Sequence, residues 1–129
     1  MEPEYYQNLI RPTWAPPSWL FGPVWSVLYL IIAVSFSYVG MLFIKKKIPL
    51  MVVIPFALNL FFNLIFSPIQ FVLQSNILAA IDILLVLGTL IWAMIAIYPY
   101  ARWVALVNIP YLLWVSFATV LQLTITIIN

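Results

Sequence analysis

Four long apolar stretches, residues 19–44, 48–73, 76–97 and 103–128, make up most of the chain and dictate what it can become. Each is near or above the roughly 20 residues a helix needs to cross the hydrocarbon core of a bilayer. Backbone groups that enter lipid must be satisfied inside their own segment, so the stretches are predicted to be helices. The charged residues are Glu2, Glu4, Arg11, Lys45, Lys46, Lys47, Asp82 and Arg102, and of these Asp82 alone falls inside an apolar stretch. Charged residues are 6% of the chain and hydrophobic ones 67%, whereas a soluble domain is about a quarter charged. Such a chain cannot present a wetted surface, and lipid is its solvent.

The connections are short: Lys45-Lys46-Lys47, Gln74-Ser75-Asn76 and the segment 98–102. Short connections make consecutive helices antiparallel neighbours. The expected architecture is an all-α membrane protein, a single transmembrane domain over 1–129. It is an antiparallel bundle of four transmembrane helices at about 18–44, 48–73, 76–97 and 102–128, preceded by a loop at 1–17. Ser75 is a candidate N-cap, and Pro16 and Pro17 stand where a missing amide costs little. Pro55, Pro68 and Pro110 fall inside the stretches, where each removes a hydrogen bond and bends the axis.

Tyr5, Tyr6, Trp14, Trp19, Tyr98, Tyr100 and Trp103 gather at the ends of the stretches, as amphipathic rings do at the headgroup level. Lys45 to Lys47 and Arg102 lie on one side of the expected bundle, and the positive-inside rule then places both termini outside. A net charge of +2, concentrated in one loop, does not make a nucleic-acid surface. The chain has no histidine and no cysteine, which removes disulfides, zinc sites and an imidazole acid or base. The N-terminus does not have the form of a cleavable signal peptide. No cofactor or metal is expected.

Three stripes carry the polar and aromatic residues. Asn59, Asn63, Phe66, Ser67 and Gln70 share one face of the second stretch. An unpartnered amide in hydrocarbon costs kilocalories, so this face looks into the bundle. Tyr111, Trp114, Ala118 and Gln122, with Asn108 a turn earlier, form a second stripe, and Trp25, Tyr29, Ala33 and Phe36 a third. Two readings are open for them. The stripes serve as interhelical packing and hydrogen bonding, or they converge on a cavity of flat aromatic faces and a few amides, suited to a large planar apolar ligand. Asp82 is a functional candidate as an intramembrane carboxylate, and its plainer role is a hydrogen bond to a neighbouring helix or loop.

Residues 11–29, RPTWAPPSWLFGPVWSVLY, hold Pro12, Trp14, Pro16, Pro17, Trp19, Gly22, Pro23, Trp25 and Tyr29. This run resembles the signature that opens the second helix of the TspO/MBR family, the tryptophan-rich sensory and translocator proteins, also called peripheral-type benzodiazepine receptors. Asn63, Ser67 and Pro68 in NLIFSPIQF resemble the third-helix motif of the family. Residues 80–85 around Asp82 resemble the fourth, and PYLLWVSFATVLQ at 110–122 the fifth. The resemblance runs through nearly the whole chain in the family's order.

The resemblance implies helices 2–5 of a five-helix fold, the chain beginning in the loop after the first helix, so that one wall of the bundle is expected to be missing. It implies a receptor for porphyrins such as protoporphyrin IX, or for sterol-like flat molecules, usually a homodimer, with roles in transport or stress sensing. Carried over by position, Trp25 and Trp114 resemble the pocket tryptophans, Asn63 the polar contact and Ala118 a small wall. Tyr29, Phe66 and Ser67 join them, and Trp14 belongs to the lid over the pocket. Gln122 departs from the family's asparagine, and the sterol-recognition pattern of animal members is not evident after it. Lacking a targeting sequence, the chain is expected in a bacterial inner membrane. Two alternatives to a binding protein stand beside it: light- or oxygen-dependent porphyrin degradation, and a structural helix-packing subunit without a ligand.

Overall fold

The computed structural model describes residues 13–15, 18–73 and 75–128, the side chains of Ser18, Ser67, Gln70 and Phe71 excepted. Most of the expected lid at 1–17, and with it Pro16 and Pro17, lies outside the described residues. A short 3-10 turn, Ser18–Leu20, leads into α1, Phe21–Ile44. Pro23 falls in the first turn of α1, where helix amides have no internal acceptor and its ring is tolerated.

Helix α1 ends in a Schellman motif. The Lys46 amide donates to the Phe43 carbonyl at 2.9 Å and the Lys47 amide to the Leu42 carbonyl at 2.8 Å, with Lys46 in the left-handed region at φ 58°. After Pro49, α2 runs Leu50–Ser67. At Pro68 the ring removes a donor and the chain widens into a π turn, Pro68–Val72, closed by the Leu73 amide on the Pro68 carbonyl at 3.1 Å. Helix α3 is Asn76–Ile97, and Ser75 caps it by accepting from the Leu78 amide at 3.2 Å. Ser75→Ala is expected to lower stability by about 1 kcal/mol, read as a lower thermal midpoint in detergent by circular dichroism.

The last stretch, expected as one helix over 102–128, is divided. Helix α4 is Arg102–Val107 and α5 is Ile109–Ile128. Pro110 cannot donate to the Leu106 carbonyl and its ring crowds that group. The buried Asn108 fills the break, its Nδ2 donating to the Val104 carbonyl at 2.8 Å and to Ser35 Oγ on α1 at 3.0 Å.

Among the described residues, α1, α3 and α5 are long and apolar enough to cross a membrane, while α2 is shorter and is extended by its π turn. Helix α3 is central and packs along both α2 and α5, and α1 lies against α2 and α4. The interior falls into three layers. Val39, Leu42, Ile48, Val52, Phe56, Ile97 and Val104 pack near the lysine turn, Leu28, Ile32, Ile83, Val86, Leu90, Tyr111 and Val115 in the middle, and Phe21, Leu121 and Ile125 at the opposite end. The outer faces carry exposed Val27, Leu30, Val34, Phe61, Leu64, Ile81, Ile95, Leu113, Val120 and Ile127. Apolar exposure on this scale belongs in lipid. Trp19 at one end, and Tyr98, Tyr100 and Trp103 at the other, are exposed as interfacial rings.

Candidate functional site

The inward faces meet in the middle layer. Helical spacing brings Asn59 and Asn63 one above the other on α2, and both are buried. The Tyr29 hydroxyl on α1 donates to Asn63 Oδ1 at 3.2 Å, and Asn63 Nδ2 donates to the Tyr111 hydroxyl on α5 at 2.7 Å. That hydroxyl donates to Asn59 Oδ1 at 3.0 Å. Asn59 Nδ2 in turn donates to the Val86 carbonyl at 2.9 Å and to Thr89 Oγ1 at 3.3 Å, both on α3. One network therefore joins α1, α2, α3 and α5 and constrains the rotation of each about its axis. It has no charged member.

Aromatic rings surround the network on one side. Trp25 lies 5.3 Å from the Tyr29 ring and meets the Tyr111 ring edge-on at 6.5 Å. Trp114 meets Phe21 at 5.9 Å and Phe117 at 5.6 Å, and Trp14 meets Phe117 edge-on at 5.8 Å. Trp25 and Trp114 both pack on the middle layer and on the Phe21 layer, while Phe66 and Ala118 pack on the middle layer. The described members of the expected site thus share one region: Trp14, Trp25, Tyr29, Asn63, Phe66, Trp114 and Ala118. The Ser67 side chain lies outside the described residues.

An open groove of about 760 Å³ runs beside this cluster, lined from α1 by Pro23, Val24 and Val27 and from α5 by Pro110, Trp114 and Phe117. Its volume falls within the roughly 300–1,000 Å³ of small-molecule sites. Of the expected site residues Trp114 alone lines it; Trp25, Tyr29 and Asn63 do not. The amides of Asn59 and Asn63 are engaged within the bundle, so the hydrogen-bonding reading of the α2 stripe is realised at these two positions. Tyr111 and Asn59 were legible as stripe members yet carry the centre of the network. Phe21 and Phe117 were missed as site residues; their spacing, four before Trp25 and three after Trp114, is the signal that pointed to them.

Asp82 departs from expectation. It is 3% exposed, and neither carboxylate oxygen forms the anticipated bond to a helix or loop among the described residues. Gln122 serves as a tie between helices, its Nε2 donating to Thr126 Oγ1 at 3.2 Å and reaching the Asn76 carbonyl at 3.5 Å. Among the described residues no cluster of three or more His, Cys, Asp or Glu side chains could hold a metal ion.

The profile of the TspO/MBR family matches residues 1–128. The chain is 36% identical to the tryptophan-rich protein TspO of Chlorobaculum tepidum over 97% of its own length and 79% of that protein's. It is likewise 36% identical to the tryptophan-rich protein TspO of Bacillus cereus, over 97% and 80% of the two chains. To the human translocator protein it is 31% identical, over 78% of this chain and 67% of that one. The apolar helices, the outward-facing aliphatic residues and these matches lead to one conclusion: the chain is an integral membrane protein and belongs to the TspO/MBR family.

Proposed function

We propose that this protein binds a flat, largely apolar ligand of the porphyrin type, such as protoporphyrin IX, in the groove between α1 and α5. The observation that carries the reading is Trp114. Its indole lines an apolar groove of fitting volume and is backed by Phe21 and Phe117. Aromatic faces take up a planar ligand by offset stacking, each contact contributing about 0.5–1.5 kcal/mol beyond the area it buries. Trp25 packs on the same layers as Trp114, and the bond from Tyr29 to Asn63 ties α1 to the network that also holds α5. The groove is lined almost wholly by apolar groups, which also suits a sterol-like molecule. Within the same reading the chain forms four spans, matching helices 2–5 of a five-helix bundle, in a bacterial inner membrane and as a homodimer.

The test is a fluorescence titration of the purified protein in nanodiscs. Protoporphyrin IX is expected to quench tryptophan emission with a saturable isotherm. Trp114→Phe is expected to weaken the apparent affinity about three- to tenfold, while Trp92→Phe, on an exposed part of α3, leaves it unchanged. A linear, non-saturating response would favour a second reading, a helix-packing subunit. That reading draws support from the engagement of both Asn59 and Asn63 in interhelical bonds.

A further inference from the structure

The end of the bundle opposite the aromatic groove carries a different surface. Lys45, Lys46 and Lys47 are all exposed in the turn between α1 and α2. Lys46 occupies the left-handed position of the Schellman motif, at φ 58°. Glycine is the usual residue there, and a side chain at that position costs about 1–2 kcal/mol. The fold gives no return for this cost: the motif's two hydrogen bonds come from backbone amides, and the Lys46 ammonium makes no ion pair among the described residues. Beside the turn lies an open cavity of about 760 Å³ formed by Phe43, Ile44, Lys46, Lys47, Leu50 and Tyr100, among others. Tyr100 comes from the turn between α3 and α4, so two connections build the cavity together. Among the described residues no carboxylate lines it.

The geometry points to a seat for one anionic phospholipid, its phosphodiester held by Lys46 and Lys47 and its acyl chain laid along α1 and α2. The charge is single-signed and placed where a helix leaves the apolar stretch, at the depth of a headgroup phosphate. Directly below the lysines, Ile44 is 80% exposed and Leu50 57% exposed. A free phosphate would leave this apolar rim uncovered; a lipid covers it. Arg102, on the same end, has its guanidinium 5.4 Å from the Tyr98 ring centre and does not line the cavity. It contributes to the general field and not to the seat.

Native mass spectrometry of the detergent-purified protein tests this, using phosphatidylglycerol and phosphatidylcholine with identical acyl chains. One phosphatidylglycerol is expected to be retained in preference to phosphatidylcholine. Lys46→Gly and Lys47→Gln are each expected to reduce that preference about fivefold, and Arg102→Gln to leave it nearly unchanged. Lys46→Gly relaxes the backbone at φ 58°, so its thermal midpoint is expected to equal or exceed that of the parent, which separates loss of the seat from loss of the fold. Equal retention of both lipids by the parent overturns the proposal. So does an equal loss in Arg102→Gln, which would indicate a diffuse field, or displacement of the lipid by excess inorganic phosphate, which would indicate a site for the free anion.

Discussion

Tyr111→Phe is expected to destabilise the bundle by about 2–4 kcal/mol, since two buried groups each lose a partner at about 1–3 kcal/mol. The ring stays, so its packing against Trp25 and the middle layer is preserved, and the loss is confined to one oxygen. That oxygen accepts from Asn63 at 2.7 Å and donates to Asn59 at 3.0 Å in a residue that is 0% exposed. Without it, Asn63 Nδ2 and Asn59 Oδ1 face an apolar interior. The measurement is unfolding by dodecyl sulfate in mixed micelles, followed by circular dichroism. A double-mutant cycle with Asn59→Leu isolates the bond: removing both partners is expected to cost less than the sum of the single changes, because the stranded acceptor disappears. Strict additivity would mean that the hydroxyl does not couple these helices. Membrane hydrogen bonds average about 0.6 kcal/mol in such cycles, so the coupling is expected at that value or above.

Asp82→Leu carries the opposite sign. A carboxylate costs up to about 2.5–3.5 kcal/mol at the centre of a spanning helix on insertion scales; Asp82 lies about two turns into α3, and neither of its oxygens is hydrogen-bonded among the described residues. Leucine has the same branched four-atom skeleton, with bulkier methyl groups in place of the oxygens, and no such penalty. The variant is expected to gain about 1–3 kcal/mol, seen as a higher dodecyl sulfate midpoint under the same conditions. A fall in that midpoint would show that the carboxyl group holds a structural partner. Together the two substitutions contrast a polar group that stabilises this bundle with one that burdens it.

Much of the architecture was legible because lipid leaves the backbone few options. An apolar stretch of 20 residues in hydrocarbon must be helical, whichever neighbours it meets, and the Ser75 cap and the lysine turn follow from local chemistry alone. Stripe membership was legible for the same reason: the 3.6-residue period places Asn59 with Asn63, and Trp25 with Tyr29, before any packing is known. Family membership rests on the proline and tryptophan spacing in 11–29 and on the later motifs, and the profile and relatives confirm it. The break at Asn108 was only half legible. Pro110 announced a bend, but the division into α4 and α5 needed Ser35 on α1 to receive the Asn108 amide.

Lipid as solvent, the helical state of the apolar stretches and the inward faces of α2 and α5 follow from residues within a few turns of one another; on α1 the buried face is instead Leu28, Ile32, Ser35 and Val39, and Tyr29 is 38% exposed. Which inward groups meet depends on how the helices pack. Tyr111 became the centre of the network because α2 and α5 bring residues 48 and 52 positions apart within hydrogen-bond distance. Trp114 came to line the groove, with Trp25 packed on the same layers, and Asp82 was left without a hydrogen-bond partner among the described residues. Those outcomes depend on helix rotation and register, and these are set by the summed packing of four helices. No local pattern encodes that sum.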